Sequence, residues 1–401
     1  MKRFVDIRNR LRKAKLPPYL KITIYAFPLL STTLFYLLRG NSNIMQWFSL
    51  NIAAPLRAFN GMLSAIFPFS VMEIFVTVAV IALVYFIVKS VKLIKRSDAK
   101  LKHLGRRLVL LVTVVLYLWS AQIWLWNSGY FAPGFAERNG FSSDGISLAE
   151  LADVTWHFAD RANEYALLVP RDENGHVLLN RTELFDQSTD VFNYIVYEFP
   201  CLSGRLFRPK PMMFSWIMSR TGYSGIYFAI TGEANINVNM PIFLMPTTIA
   251  HEHAHQLGVF AEDEANFVAV LASITSGIPA YQYAGYLFGL MRLMRPIREH
   301  DNELWQEISS SLNEYVLRDW RMNSEYWQSQ RVFQTGNQTL DRALTTVGRV
   351  TRETVDSIYD SFLRANRQEL GLQSYGAVVD LLVEYFARMR PDLLTVNNNE
   401  V

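Results

Sequence analysis

The chain has 401 residues, half of them apolar and 13% aromatic, with a formal net charge of +3. That length exceeds one average domain, and the apolar content excludes a disordered chain and points to a membrane portion. Residues 1–107 hold 18 of the 39 basic residues and only three acids, Asp6, Glu73 and Asp98, which leaves residues 108–401 at a net −12. A basic apolar head on an acidic body argues against a nucleic-acid partner and for a lipid-bilayer anchor followed by a soluble part.

Three apolar segments come first, at 22–38, 68–88 and 108–126. Each is long enough to cross a hydrocarbon layer about 30 Å thick at about 1.5 Å per helical residue. Pro28 interrupts the first, and Trp119, Trp124 and Trp126 sit near the end of the third, where indoles favour the headgroup region. Eight basic residues lie in 1–21 and eight in 89–107, against two in 39–57. The positive-inside rule therefore puts the first two stretches in the cytoplasm and everything after residue 126 outside it. A cleaved signal peptide is the rival for the first segment, but no small-x-small site follows it and two more spans do. Glu73, near the outer end of the second span, is either an interfacial carboxylate or a functional group within the membrane. The division expected is a membrane anchor at 1–127 and an extracytoplasmic domain at 128–401.

In that domain, Ser147 and Glu150 have capping-box spacing ahead of a helix at 148–169, and 184–199 reads as a second helix stopped by Pro200. Residues 212–218, 225–230 and 234–240 are short, β-rich and separated by Gly222, Gly225 and Gly232. In the last of them Asn235, Asn237 and Asn239 alternate with apolar residues, the pattern of a half-buried strand. From residue 247 the pattern is helical almost to the end, over 247–257, 262–275, 279–293, 301–329, 338–367 and 375–389. The fold class is α+β and mostly helical. Cys201 is the single cysteine, so an intrachain disulfide or a cysteine zinc site is excluded, and it reads as a small buried hydrophobe.

The chemistry concentrates at Thr248-Ile249-Ala250-His251-Glu252-His253-Ala254-His255-Gln256-Leu257-Gly258. His251 and His255, four apart on a helix, project from one face and can reach one metal ion, with Zn2+ the ion that the H-E-x-x-H pattern suits. Glu252 reaches a metal-activated water rather than the metal, accepts its proton, and can pass that proton to a leaving amine. His253 points off the metal face. A third ligand is expected from the next helix, where Glu262, Asp263 and Glu264 are adjacent. Glu262 shares a face with Ala265, Asn266 and Ala269 and is favoured, with Glu264 the alternative. His300 and Tyr375 are candidate oxyanion stabilisers, and His103 lies in the cytoplasmic loop.

The run Glu262-Asp263-Glu264-Ala265-Asn266-Phe267-Val268-Ala269 resembles the second helix of the gluzincin metallopeptidases, E-x-x-A-D-x-x-A. The resemblance covers roughly residues 225–275. It implies a zincin-like domain, Glu262 as the third zinc ligand, and Asn266, in place of the family's Asp, bracing a ligand histidine. The interval from His255 to Glu262 is short for many gluzincins. Gly258 stands where metzincins place a glycine, but Ala261 occupies the position of their third histidine. The strand before the active-site helix pairs with extended substrate in gluzincins, which implies that role for residues 234–240 and their asparagines. The whole chain, three spans ahead of this arrangement, looks like a bacterial multi-pass membrane family defined by a domain of unknown function. The function expected is peptide-bond hydrolysis of a peptide or protein substrate at the extracytoplasmic face. The alternatives are a zinc-stabilised receptor or scaffold without turnover and a hydrolase of a non-peptide amide. Glu252 favours turnover, because a structural zinc site needs no general base.

Overall fold

A computed structural model describes residues 17–141, 145–332, 338–366 and 376–395. Helix α1 (Pro18–Leu38) starts on a proline, whose missing N–H is harmless in a first turn, and carries Pro28 inside it. The connection to the second span is itself helical. It runs through α2 (Ser42–Phe48), a π turn (Ser49–Ala53) and α3 (Ala54–Ala65). Helices α4 (Val71–Lys95) and α5 (Lys100–Leu125) complete the three helices long and apolar enough to cross a membrane. Polar side chains join α1 to α5: the Ser31 and Ser120 hydroxyls are 2.7 Å apart, and the Trp124 indole N–H donates to Ser31. In an apolar surrounding such hydrogen bonds help fix which helix faces meet.

The ends of α1 and α5 and the start of α4 all meet the rest of the chain. Phe35 of α1 and Ile123 of α5 share a buried cluster with Trp126, Tyr130, Phe131, Tyr227 and Ala229. Two glutamates exchange helix caps across the junction. The Glu233 carboxylate accepts the Val71 and Met72 N–H groups at 3.0 and 2.8 Å, closing the start of α4. Glu73, one turn into α4, accepts the Met213 and Phe214 N–H groups, each at 2.8 Å. Hydrogen bonds to a charged acceptor are worth about 1.5–3 kcal/mol each, and a buried carboxylate needs them. Glu73 is thus neither a group reaching to water nor one facing a partner span; it ties the second span to the domain.

Beyond the spans come α6 (Phe135–Arg138), α7 (Leu148–Ala166), α8 (Arg181–Gln187) and α9 (Ile195–Glu198). The capping box of Ser147 and Glu150 forms as expected. The helix expected over 184–199 is broken after Gln187, and Pro200 follows its second piece. Strand β1 (Lys210–Pro211) is parallel to β3 (Glu233–Ile236), and β2 (Gly225–Phe228) is antiparallel to it, giving the order β1-β3-β2. The strand expected over 212–218 is instead mostly helix α10 (Ser215–Thr221), because the Glu73 carboxylate takes the two N–H groups ahead of its first turn. Gly222, at φ 88°, closes it in the left-handed region that favours glycine.

Helices α11 (Met245–Gln256), α12 (Glu262–Thr275) and α13 (Pro279–His300) follow the sheet, with α14 (Asn302–Ser311) and α15 (Glu314–Ser329) after them. The last two divide the stretch expected as one helix, and Asn313 caps the second by accepting the Tyr315 and Val316 N–H groups. The described part ends with α16 (Gln338–Ala365), α17 (Ala377–Val383) and α18 (Asp392–Thr395). Apolar faces of α7, α11, α12, α13 and α17 form one core, with fully buried Phe158, Ile249, Phe267, Leu287 and Leu382 among its members. Cys201 is a free thiol packed against that core and accepts from the Asn139 amide at 3.4 Å.

Candidate functional site

Helix α11 is placed by contacts on both faces. One face packs on α12; the other packs on β2 and β3. Gly258, at φ 91°, lets the chain reverse just past α11, and α12 begins four residues later. That short reversal brings the start of α12 over the histidines. His251 Nε2 lies 3.3 Å from one Glu262 oxygen and His255 Nε2 lies 3.6 Å from the other. The donor atoms of the three residues all fall within 4.8 Å of one another, so they could hold one ion. The structure brings His251, His255 and Glu262 together.

Their surroundings orient them. His255 Nδ1 is 2.7 Å from the Val259 carbonyl, which leaves Nε2 facing Glu262. Burial opposes charge on His255, but the Glu262 carboxylate more than offsets it and raises its pKa to about 9. Burial likewise opposes charge on Glu262, yet His255 and His251 hold it well below the usual carboxylate range. His251 Nδ1 is buried and has no hydrogen-bond partner among the described residues. Asn266 is buried on α12, yet neither histidine ring nitrogen has it as a partner. The brace implied by the resemblance is therefore not made.

Glu264 is turned elsewhere. Its oxygens accept the Phe135 and Ala136 N–H groups, both at 2.9 Å, and cap α6. His253 is fully buried on the far side of α11, 3.2 Å from the Phe207 carbonyl. His300 is exposed at the end of α13, with its Nδ1 2.9 Å from the Pro296 carbonyl of its own helix. Tyr375 lies outside the described residues.

Glu252 is buried beside the histidines. One carboxylate oxygen has no partner among the described residues, and the Tyr227 backbone N–H donates to the group. Burial raises its pKa to about 7 against the pull of His251 and His255. Gly225 of β2 lies so close that a Cβ there would sit 2.4 Å from Glu252 Oε1. Only glycine fits that contact without displacing the carboxylate.

The expected substrate strand is not at an edge. Of residues 234–240 only 234–236 join the sheet, as part of its central strand β3 (Glu233–Ile236). Asn235 and Asn237 are fully buried, bonding Ser70 and the Ile226 carbonyl, and Ser219 and the Tyr223 carbonyl, respectively. The Asn237 side chain also accepts the Asn239 N–H, turning the backbone out of the sheet and leaving Asn239 exposed. The edge next to Glu252 belongs to β2.

Several site residues carry no signal in the sequence. Tyr359 of α16 donates its hydroxyl to Glu262 and packs edge to face on Tyr223. Trp126 lies edge to face on the His255 imidazole, 5.4 Å between ring centres, and its indole N–H donates to the Tyr130 hydroxyl at 3.3 Å. Arg57, buried in α3, donates to the Leu125 carbonyl at the end of α5 and lies over the Phe260 ring. A helix C-terminus carries partial negative charge, which suits a buried cation.

Residues 48–383 match a family model described as a protein of unknown function, DUF3810. The chain belongs to that family. The DUF3810 match begins in the helical connection after the first span and ends at the close of α17. It therefore takes in two of the spans, the sheet and the histidine helix as one unit. No curated protein and no solved structure matches the chain.

Proposed function

We propose that this DUF3810 protein is a membrane-bound zinc peptidase. Supporting this is one observation: the Nε2 atoms of His251 and His255 converge on Glu262 while Glu252, one of whose oxygens has no partner among the described residues, lies buried beside them. The donor set fits the ion. Two imidazole nitrogens and one carboxylate oxygen are the protein ligands of a catalytic zinc site, which leaves one of four positions to solvent or substrate.

Zinc, when bound, supplies Lewis acidity that polarises a carbonyl and lets water lose a proton near neutral pH. The chain supplies the rest. Glu252 accepts that proton and delivers it to the departing amine. The Tyr359 hydroxyl, released from Glu262, donates to the oxyanion that develops on the carbonyl. The edge of β2 next to Glu252 holds extended polypeptide by backbone pairing, which favours a peptide over a compact amide and gives little sequence preference.

The test uses the full chain in lipid nanodiscs. One zinc per chain and hydrolysis of a peptide library are expected, with zinc lost in His251→Ala. A wild type that binds no zinc under any condition would remove the reading. The charge distribution supports a site outside the cytoplasm. An impermeant thiol reagent applied to intact cells should then label Ser310→Cys but not Ala99→Cys in a Cys201→Ala background, and the reverse labelling would put the site in the cytoplasm.

A further inference from the structure

We infer that the substrate is a membrane-tethered polypeptide, cut within a few residues of the leaflet in which the three spans end. This rests on the peptidase reading and names its substrate class.

Three observations carry it. The first is depth. Trp126 is the first residue after α5, a membrane-spanning helix, and its ring touches the imidazole of His255. The metal-binding cluster therefore stands one side chain above the end of a span. The second is direction. Strand β2 starts at Gly225 against Glu252 and ends at Phe228, whose ring lies 6.0 Å from that of Phe75, one turn inside α4. The three steps from Gly225 to Phe228, at about 3.4 Å each, span about 10 Å, so polypeptide paired along this edge runs from the catalytic carboxylate to the lipid surface.

The third is the underside of the domain. Met213 and Phe214 are held against the first turn of α4 by Glu73, and α10 continues from them. Met213, Phe214, Trp216 and Ile217 expose 57%, 40%, 60% and 44% of their surfaces, and Phe67 and Phe69 at the start of α4 are similarly exposed. This apolar surface adjoins the first turn of α4, where Ile74 and Phe75 are exposed as well. Its occupant is the bilayer, into which Met213 and Trp216 dip at headgroup depth, the level that aromatic side chains favour. Arg220, the basic residue of α10, is turned away from it to the Gln330 and Val332 carbonyls.

Two measurements on the full chain in phosphatidylcholine vesicles test the inference. In a Cys201→Ala background, a fluorophore on Met213→Cys should be quenched by lipid-borne nitroxide and spared by aqueous iodide, with the opposite pattern at Ser310→Cys. In the second, one cleavable sequence is presented free in solution, or tethered to a transmembrane peptide through a spacer of about 5 or about 30 residues. The short-spacer form should be cut at least tenfold faster than both others. The long spacer separates closeness to the membrane from the higher local concentration that any tether gives. Equal rates for short and long spacers, or iodide quenching at position 213, would overturn the inference and leave the peptidase reading standing. Absence of cleavage of all three forms would overturn the peptidase reading, and the substrate class with it.

Discussion

The indole of Trp126 and the imidazole of His255 meet edge to face with ring centres 5.4 Å apart. The same indole touches Tyr227 of the sheet and Phe260 of the turn after α11, so one side chain joins the end of α5, a helix long and apolar enough to cross a membrane, to the histidine helix. Trp126→Ala is expected to destabilise the protein by about 3–5 kcal/mol, as for other buried aromatic truncations. It should also weaken zinc binding about tenfold by loosening His255. Thermal unfolding and a competition titration with a zinc chelator, both in nanodiscs, measure the two effects. Trp126→Phe should recover most of both, and zinc affinity unchanged in Trp126→Ala would deny the indole a positioning role.

Gly225→Ala should act on chemistry alone. The added Cβ would stand 2.4 Å from Glu252 Oε1, while the backbone there needs no positive φ. The expected outcome is full zinc occupancy, an unchanged unfolding midpoint and hydrolysis reduced more than tenfold. Wild-type turnover in this variant would mean that the carboxylate does not act from where it lies.

The two glutamates of α12 should separate cleanly. Glu262→Ala removes a donor from the cluster and should lose most of the zinc. Glu264→Ala removes the cap on Phe135 and Ala136 and should keep it. The second variant should instead lose about 1–3 kcal/mol of stability, the penalty for backbone N–H groups left unsatisfied. Metal analysis and unfolding of both variants decide the matter, and a zinc loss confined to Glu264→Ala would reverse the roles.

Much of this was legible in the sequence, and what was missed has physical causes. The three spans, the α7 capping box and the face shared by His251 and His255 follow from local periodicity and spacing, so they could be read in advance. Residues 212–218 have the composition of a strand, but a carboxylate more than 100 positions earlier, Glu73, caps a helix there. Asn235, Asn237 and Asn239 alternate as on the polar face of a half-buried strand, yet two of them are buried because distant elements cover them, Ser70 at the start of α4 over Asn235 and Ser219 of α10 over Asn237. Trp126 reads as a headgroup indole and Tyr359 as one residue of an amphipathic helix. Only the fold places both beside the histidines.

His157 gives the domain a pH dependence of its own. It is buried in α7 against Phe158, Tyr286 and Phe386, and burial, with a smaller push from Arg161, lowers its pKa to about 4. The folded state therefore disfavours the protonated ring. Stability should be unaffected above the ordinary histidine pKa of about 6.5 and should fall as pH drops from there toward 4. The loss should level off near 3 kcal/mol, at about 1.4 kcal/mol per pKa unit. Unfolding followed between pH 7.5 and 4 should show this slope in the wild type, and a reduced one in His157→Phe. Identical slopes would assign the acid sensitivity to other groups.

The most direct measurement compares wild type with Glu252→Gln, full length and in nanodiscs, for zinc content and for hydrolysis of a membrane-tethered peptide. The substitution keeps the size of the side chain and removes its ability to accept a proton. The expected result is one zinc per chain in both proteins, with turnover lowered at least a thousandfold in the variant. Equal turnover in the two, at equal zinc content, would contradict the assignment of Glu252 as the base and the peptidase reading built on it.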